Sequence, residues 1–140
     1  LAAAVDDLLA LFTASQAELP YPDIAVGDAE DQPGAVEAVD EIAVKRWRVR
    51  RACVTALGRL GDQRAAPPLE HALCHIDDFF PVTSQIPIAL GRLGAPSSSA
   101  MLRRFVDHAE VNTRRNIRHA LDLLEGRIDR DTFERRVAVG

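Results

Sequence analysis

The string ALGRLG stands at Ala56–Gly61 and returns unchanged at Ala89–Gly94, 33 residues later. A fixed period of that size is read before any single element, because a repeated brick decides the whole architecture. Each copy lies on a helical stripe. Cys53, Ala56, Leu57 and Leu60 are spaced i, i+3, i+4 and i+7, as are Ile86, Ala89, Leu90 and Leu93. That spacing makes one apolar face of an α-helix. A third copy, Ile117, Ala120, Leu121 and Leu124, follows 31 residues on. The small residue common to all three (Ala56, Ala89, Ala120) implies close approach of neighbouring helices.

A second stripe alternates with the first. Leu69, Ala72, Leu73 and Ile76 share one helix face, and the period carries them to Leu102, Phe105, Val106 and Ala109. In the other direction it reaches Val36, Val39, Asp40 and Ala43, where Asp40 is the misfit. The spacing therefore predicts three helix pairs, at 29–61, 62–94 and 95–125. First helices end near Ala43, Ile76 and Ala109, and second helices at Leu60, Leu93 and Leu124. No pair buries both stripes alone, but a stack of three makes a continuous core that needs caps at its ends. Residues 1–28, a short helix near Ala2–Phe12 followed by a loop around Pro20–Gly34, form one cap. Residues 126–140 form the other, a helix near Ile128–Val139 with Phe133 and Val137 facing inward.

Local chemistry agrees with these boundaries. Gly61 and Gly94 stand where a helix closes in left-handed geometry, which glycine adopts without a Cβ clash. In the third unit Glu125 takes that place and Gly126 follows. Asp62 is predicted to cap the next helix, Pro96 suits a first helical turn, and Ser97, Ser98 and Ser99 are further capping candidates. Pro87 conflicts with the pattern, since a proline inside a helix costs about 3 kcal/mol. With Pro81 upstream, it predicts a kink or a broken start between Val82 and Ile88.

The chain has 140 residues, 47% apolar, 27% charged and 5% aromatic. Such a composition fits one folded domain and excludes wholesale disorder. No run of eighteen uncharged apolar residues is available for a membrane helix, and two cysteines exclude a disulfide-built scaffold. Leu1–Leu11 lacks a basic n-region and does not read as an intact signal peptide, so the cytoplasm is the expected location. A start at Leu1 rather than Met is expected of an N-terminus that is trimmed, processed or cut from something longer, and the last of these would make the chain a module of a larger polypeptide. The charge is lopsided: −10 in residues 1–44 and +6 in residues 45–140, together −4. That asymmetry reads as two solvated surfaces of opposite sign, with an acidic arm over a basic body, or two faces meant for different partners, as the alternatives.

VRRACVTALGRLGDQRAAPPLEHAL, Val49–Leu73, resembles the HEAT-like repeats of phycobilisome-lyase proteins. Shared are the Val-Arg start, the alanines, Ala-Leu-Gly-x-Leu-Gly-Asp, and a helix opening with Ala-x-Pro-x-Leu. Ala89–Gly94 keeps the pattern and Asn112–Gly126 keeps it loosely, so about two-thirds of the chain is covered. The resemblance implies an all-α fold: a short right-handed α-solenoid of HEAT/armadillo type, with about three helix pairs plus terminal capping helices. It also implies a scaffold that holds another macromolecule on its inner surface. Asp77–Gly94 looks like the helical tail domains of zinc aminopeptidases, but the chain has no His-Glu-x-x-His.

Candidate chemistry is sparse. His71 and His75 share a helix face beside Glu70, Cys74, Asp77 and Asp78, a spacing that suits a metal ion. HEAT-like iron hydroxylases carry repeated His-Glu steps, and this sequence has none. No metal and no cofactor are expected. Cys53 aligns with Ile86 and Ile117 and reads as a small buried hydrophobe, with no disulfide to Cys74. Gly-rich phosphate loops, Ser-His-Asp sets and Cys-x-x-Cys pairs are absent, and Asp129, Asp131 and Glu134 do not make a calcium loop.

The basic residues cluster. Lys45, Arg46, Arg48, Arg50 and Arg51 surround Trp47, and Arg114, Arg115 and Arg118 recur at the equivalent place in the third unit, where Arg114 and Arg115 match Arg50 and Arg51 two repeats away. Thr83 and Ser84 interrupt the series in the middle unit. Side by side, these helices would present a basic ridge for phosphates or an acidic partner; the alternative is ion pairing within each repeat. Trp47, Phe80 and Val111 are equivalent and are expected to fill the gap between first and second helices. The reading is a non-catalytic module that binds a protein partner through Trp47, Arg50, Arg51, Thr83, Ser84, Arg114, Arg115 and Arg118. The alternatives are a phycobilin lyase subunit or DNA-repair glycosylase-like enzyme, and a nucleic-acid binder using the arginine ridge.

Overall fold

The computed structural model describes the backbone of residues 2–16 and 33–139, and the side chains of residues 2–15 and 46–139. The helices are α1 (Ala2–Gln16), α2 (Pro33–Leu60), α3 (Ala66–His75), α4 (Phe80–Thr83), α5 (Gln85–Leu93), α6 (Pro96–Arg103), α7 (Val111–Leu124) and α8 (Arg130–Val139). No strand occurs among the described residues. Helices α2, α5 and α7 lie side by side, with α5 in the middle; α1, α3 and α6 back them, and α8 closes on α7. This is a short α-solenoid, the class that the repeat predicts.

The stripes form its core. Leu57 and Leu90 are 0% exposed and Leu121 is 5% exposed. Leu69, Leu102, Ile86 and Ile117 are equally enclosed, each contributing roughly 1.5–3 kcal/mol of burial. Leu60 departs from the pattern and stays open, as does Ala109 at the far end of the second stripe. Phe133 of α8 is fully buried, and Val137 packs partly against the core.

Two features differ from the sequence expectation. Helix α2 runs unbroken from Pro33 to Leu60 instead of splitting near Ala43. No proline or glycine occurs between Gly34 and Gly58 to break it, so the helix packed against α2 is α1. The stripe at Val36, Val39, Asp40 and Ala43 and the loop before Pro33 lie outside the residues whose side chains or backbone are described. Helix α6 stops at Arg103, and Phe105 and Val106 sit half-buried in turns rather than on a helix reaching Ala109.

The predicted breaks are where the chemistry put them. Gly61, Gly94 and Gly126 have φ of 74°, 69° and 78°. Asp62 accepts a hydrogen bond from the Arg64 amide at 3.0 Å, and Pro96 begins α6. The serines do not cap that helix: the Ser97 and Ser98 hydroxyls donate to Glu70 across the α3–α6 contact, at 3.2 and 2.7 Å. Pro87 is accommodated by the break between α4 and α5. It becomes the third residue of α5, where a helix amide has no intrahelical acceptor to lose. At the same break, buried Asn116 of α7 donates to the Ser84 carbonyl at 2.8 Å.

One contact recurs along the stack. A Cβ on Gly58 of α2 would stand 2.8 Å from the Cα and 2.9 Å from the Cβ of Ala89 on α5. A Cβ on Gly91 of α5 would stand 3.4 Å from the Cβ of Ala120 on α7 and 3.0 Å from the Phe133 ring. Each repeat therefore seats its alanine on the glycine of the repeat before it. In the third copy the glycine position is Asp122, which pairs with Arg127 at 2.7 Å and Arg136 at 3.2 Å.

This seam yields a ranked expectation. Gly→Ala in a helix interior normally stabilises by about 1 kcal/mol. Gly58→Ala instead meets backbone and is expected to destabilise by about 1–3 kcal/mol. Gly91→Ala meets mainly the end of a phenyl ring and should cost less. Urea unfolding of the two variants beside wild type tests the order.

Candidate partner-binding groove

Arg50 faces inward. It is 1% exposed, because its position on α2 turns it between α1 and the loop before α4. Its Nε donates to Asp78 Oδ2 at 2.7 Å, in an ion pair whose side chains are 1% and 3% exposed. Its Nη1 donates to the Phe12 carbonyl at 2.9 Å and to Ser15 Oγ at 2.7 Å, closing the end of α1. The Phe12 ring lies 4.4 Å from the guanidinium carbon. Asp78 Oδ1 also accepts the Phe79 amide at 2.8 Å. A buried charge is tolerated only when paired and hydrogen-bonded in this way.

Arg50 must therefore be withdrawn from the expected contact surface. So must Thr83 and Ser84, which are buried where α4 meets α5. Phe80 does not fill an interior gap either: Phe79 and Phe80 are 40% and 47% exposed. They form an edge-to-face run with half-buried Trp47, with centroids 5.6 Å apart from Trp47 to Phe79 and 5.0 Å from Phe79 to Phe80. Val111, the third equivalent residue, is exposed. Cys53 is buried, and burial raises its thiol pKa.

Trp47 and Arg51 open onto a groove of about 1100 Å³. One wall is α2, the floor is α5, and the opposite wall is α8. Along α2 the wall carries Arg48, Arg51 and Arg59 over a strip of Ala52, Ala56 and Leu60. Ile88 of α5 and Val137 of α8 complete the apolar lining. The Arg48 guanidinium lies 5.6 Å from the Trp47 ring centroid, and no carboxylate pairs with Arg48, Arg51 or Arg59 among the described residues.

On the far wall a carboxylate is shared by two arginines. Arg92 Nη2 meets Glu134 Oε2 at 2.9 Å, and Arg130 Nε meets Glu134 Oε1 at 2.7 Å. Hydrogen bonds from Arg92, opposed by partial burial and reinforced by Arg130, pull the Glu134 carboxyl from its usual 4.5 to about 2.

The α7 arginines are elsewhere. Arg114 donates to the His108 carbonyl and Arg115 to Asn112 Oδ1, both at 3.0 Å, while Arg118 is exposed. None of the three lines the groove, and buried Thr83 and Ser84 separate them from the arginines of α2. The start of α7 has its own anchor: Glu110 accepts from the amides of Asn112 and Thr113 at 2.9 and 2.6 Å. Those bonds outweigh burial and hold its carboxyl below the usual range.

The His71 and His75 rings lie 4.8 Å apart, tilted by 47°, on an exposed face, and no group of three or more potential ligands among the described residues is placed to hold a metal ion. No helix among the described residues is long and apolar enough to cross a membrane.

The lining residues that sequence reasoning passed over had a visible signal. Arg59 and Arg92 are the same letter of the repeated ALGRLG; each follows its seam glycine and so points out of the stack. The contribution of α8 had no such signal, because α8 is not a repeat.

Against known proteins, the family model for HEAT repeats matches residues 36–122, more than half of the chain. No curated protein and no solved structure matches.

Two outcomes follow from these ion pairs. Asp78→Ala leaves the Arg50 guanidinium buried without a counter-charge and should cost about 3–5 kcal/mol in urea unfolding, while Arg50→Met added to it should recover most of the loss. Glu134, being depressed in the folded state, contributes stability that is complete above about 4.5 and disappears as pH falls to about 2. At 37% exposure screening limits this to about 1 kcal/mol or less. Glu134→Gln should flatten that segment of the pH–stability curve.

Proposed function

The chain belongs to the HEAT-repeat family, and we propose that it acts as a non-catalytic protein-interaction module whose contact surface is the groove between α2 and α8. HEAT repeats are in general protein-interaction modules. The observation that carries the proposal is the coexistence, on one wall, of three arginines without a carboxylate partner among the described residues and an apolar strip of exposed Ala52 and Leu60 and half-exposed Ala56. A chain optimised only for its own stability would pair those charges or cover that strip. Trp47 and Arg51 carry over from the sequence reading; Arg48, Arg59 and Leu60 join them. Arg114, Arg115 and Arg118 supply a second, separate basic surface on α7.

The groove is built on helices tied together by the glycine seam, so binding would proceed with little backbone change. The likeness of Val49–Leu73 to phycobilisome-lyase-type repeats supports membership of that branch, though no residue set in the groove supports lyase or glycosylase chemistry.

A photo-crosslinking residue at Thr55, which lines the groove, tests the proposal. In host cells it is expected to capture a discrete protein, with capture reduced at least tenfold by Trp47→Ala plus Arg51→Glu. A crosslinker at Asp131, outside the groove lining, should not capture that protein. Capture of nucleic acid alone, or identical capture from both positions, would overturn the reading.

A further inference from the structure

We infer that the groove is shaped for an acidic amphipathic helix, laid along α2 with its carboxylates on Arg48, Arg51 and Arg59 and its apolar edge on the floor. This rests on the reading of the chain as a protein-binding module and names the chemistry of the partner. Three observations converge on it.

The first is charge. Arg92 is neutralised by Glu134, but the arginines of the α2 wall have no carboxylate among the described residues. The wall thus presents a net positive ladder, although the chain as a whole carries −4. Arg48 and Arg59 are separated by three helical turns, about 16 Å along the axis. Carboxylates at i, i+3 or i+4 and i+11 of a helix running alongside repeat the same rise, and guanidinium groups grip carboxylates bidentately.

The second is width. The α2 wall packs on α5 at the spacing of about 8–10 Å usual in a helical stack, and α8 lines the other side of α5. A cylinder of helix diameter and three turns in length occupies roughly 1300 Å³, of the same order as the open groove of about 1100 Å³. Ala52 and Ala56 lie one turn apart on the wall, so a helix backbone can approach there as Ala89 approaches Gly58.

The third is the nature of the remaining lining. Leu60 and Val137, with the edge of nearly enclosed Ile88 between them, offer apolar contact that a sugar–phosphate backbone does not use. Trp47 has Arg48 over its ring and Phe79 against its edge, so it makes a poor platform for a base. These features favour an acidic protein helix over nucleic acid.

The test is selection from a displayed library of randomised helical 18-residue peptides on the full chain, in parallel with its Arg51→Glu/Arg59→Glu variant. Both substitutions are at exposed side chains, and unchanged melting curves verify the fold. Wild type is expected to enrich peptides with Asp or Glu on one edge and apolar residues on the next, and the variant to enrich Lys or Arg instead. Selected acidic peptides should bind the variant at least tenfold more weakly, lose at least tenfold when their carboxylates become amides, and weaken with added salt. Neutral or basic peptides from wild type, no enrichment, or tighter binding of a DNA or RNA duplex than of the best peptide would overturn the assignment. Acidic peptides indifferent to Arg51→Glu/Arg59→Glu would overturn it too, while leaving a protein-interaction module standing; failure at Thr55 crosslinking is what would remove the module itself.

Discussion

The contact on which this molecule depends is alanine seated on glycine: Ala89 over Gly58, and Ala120 over Gly91. At the first of these there is no room for even a Cβ, which would stand 2.8 Å from the Ala89 Cα, so α2 and α5 meet in one register, and a shift of one residue would place Leu57 or Arg59 in the seam. Dispersion and burial then stabilise the stack on either side, through the enclosed Leu57, Leu90 and Ile117. The seam also decides the outer surface. The residue after each glycine is turned about 100° round the helix, and that geometry turns Arg59 and Arg92 toward the groove. A packing constraint between small residues thereby sets the position of the charged ones.

The ends of the stack are handled by different physics. At the far end the repeat continues as Ala-Leu, but the next residue is Asp122 instead of glycine. A charged side chain there admits no further seam, and its ion pairs to Arg127 and Arg136 hold the turn and α8 in place. Helix α8 inserts Phe133 against Gly91 and fixes its own pose with Glu134 on Arg92. At the near end α1 is clamped by a buried arginine that reaches both the Phe12 carbonyl and Asp78. The near end thus holds α1 through a desolvated ion pair, and the far end holds α8 through an aromatic ring and a half-open one. The groove exists because α8 folds back toward α2 across α5 without covering it.

Much of this was legible in the amino-acid sequence, and the reasons are local. A 33-residue period, a 3.6-residue stripe and a glycine at each helix end are all short-range signals, so helix class, stacking order and the left-handed turns at Gly61 and Gly94 follow from them. Pro87 announced the α4–α5 break because a proline's missing amide is a property of one residue. The misreadings are equally specific. Arg50 resembles its neighbours Arg48 and Arg51 in every sequence respect, yet a rotation of about 100° per residue sends it inward to Asp78, 28 positions away. Ser98 reads as a cap but its hydroxyl meets Glu70 from another repeat. Helix α2 passes Ala43 because the period alone cannot tell a helix end from a helix that simply continues.

From the amino-acid sequence alone come the repeat, the helical class, the turn glycines and the concentration of arginine around Trp47, each a pattern that neighbouring residues carry among themselves. Tertiary structure alone decides which of those arginines is consumed as an internal counter-ion and which remain on a wall, and that a non-repeat helix supplies the other side of the groove. The physical reason is that burial and pairing of a charge depend on groups brought from tens of residues away, and no local periodicity records where those groups will land.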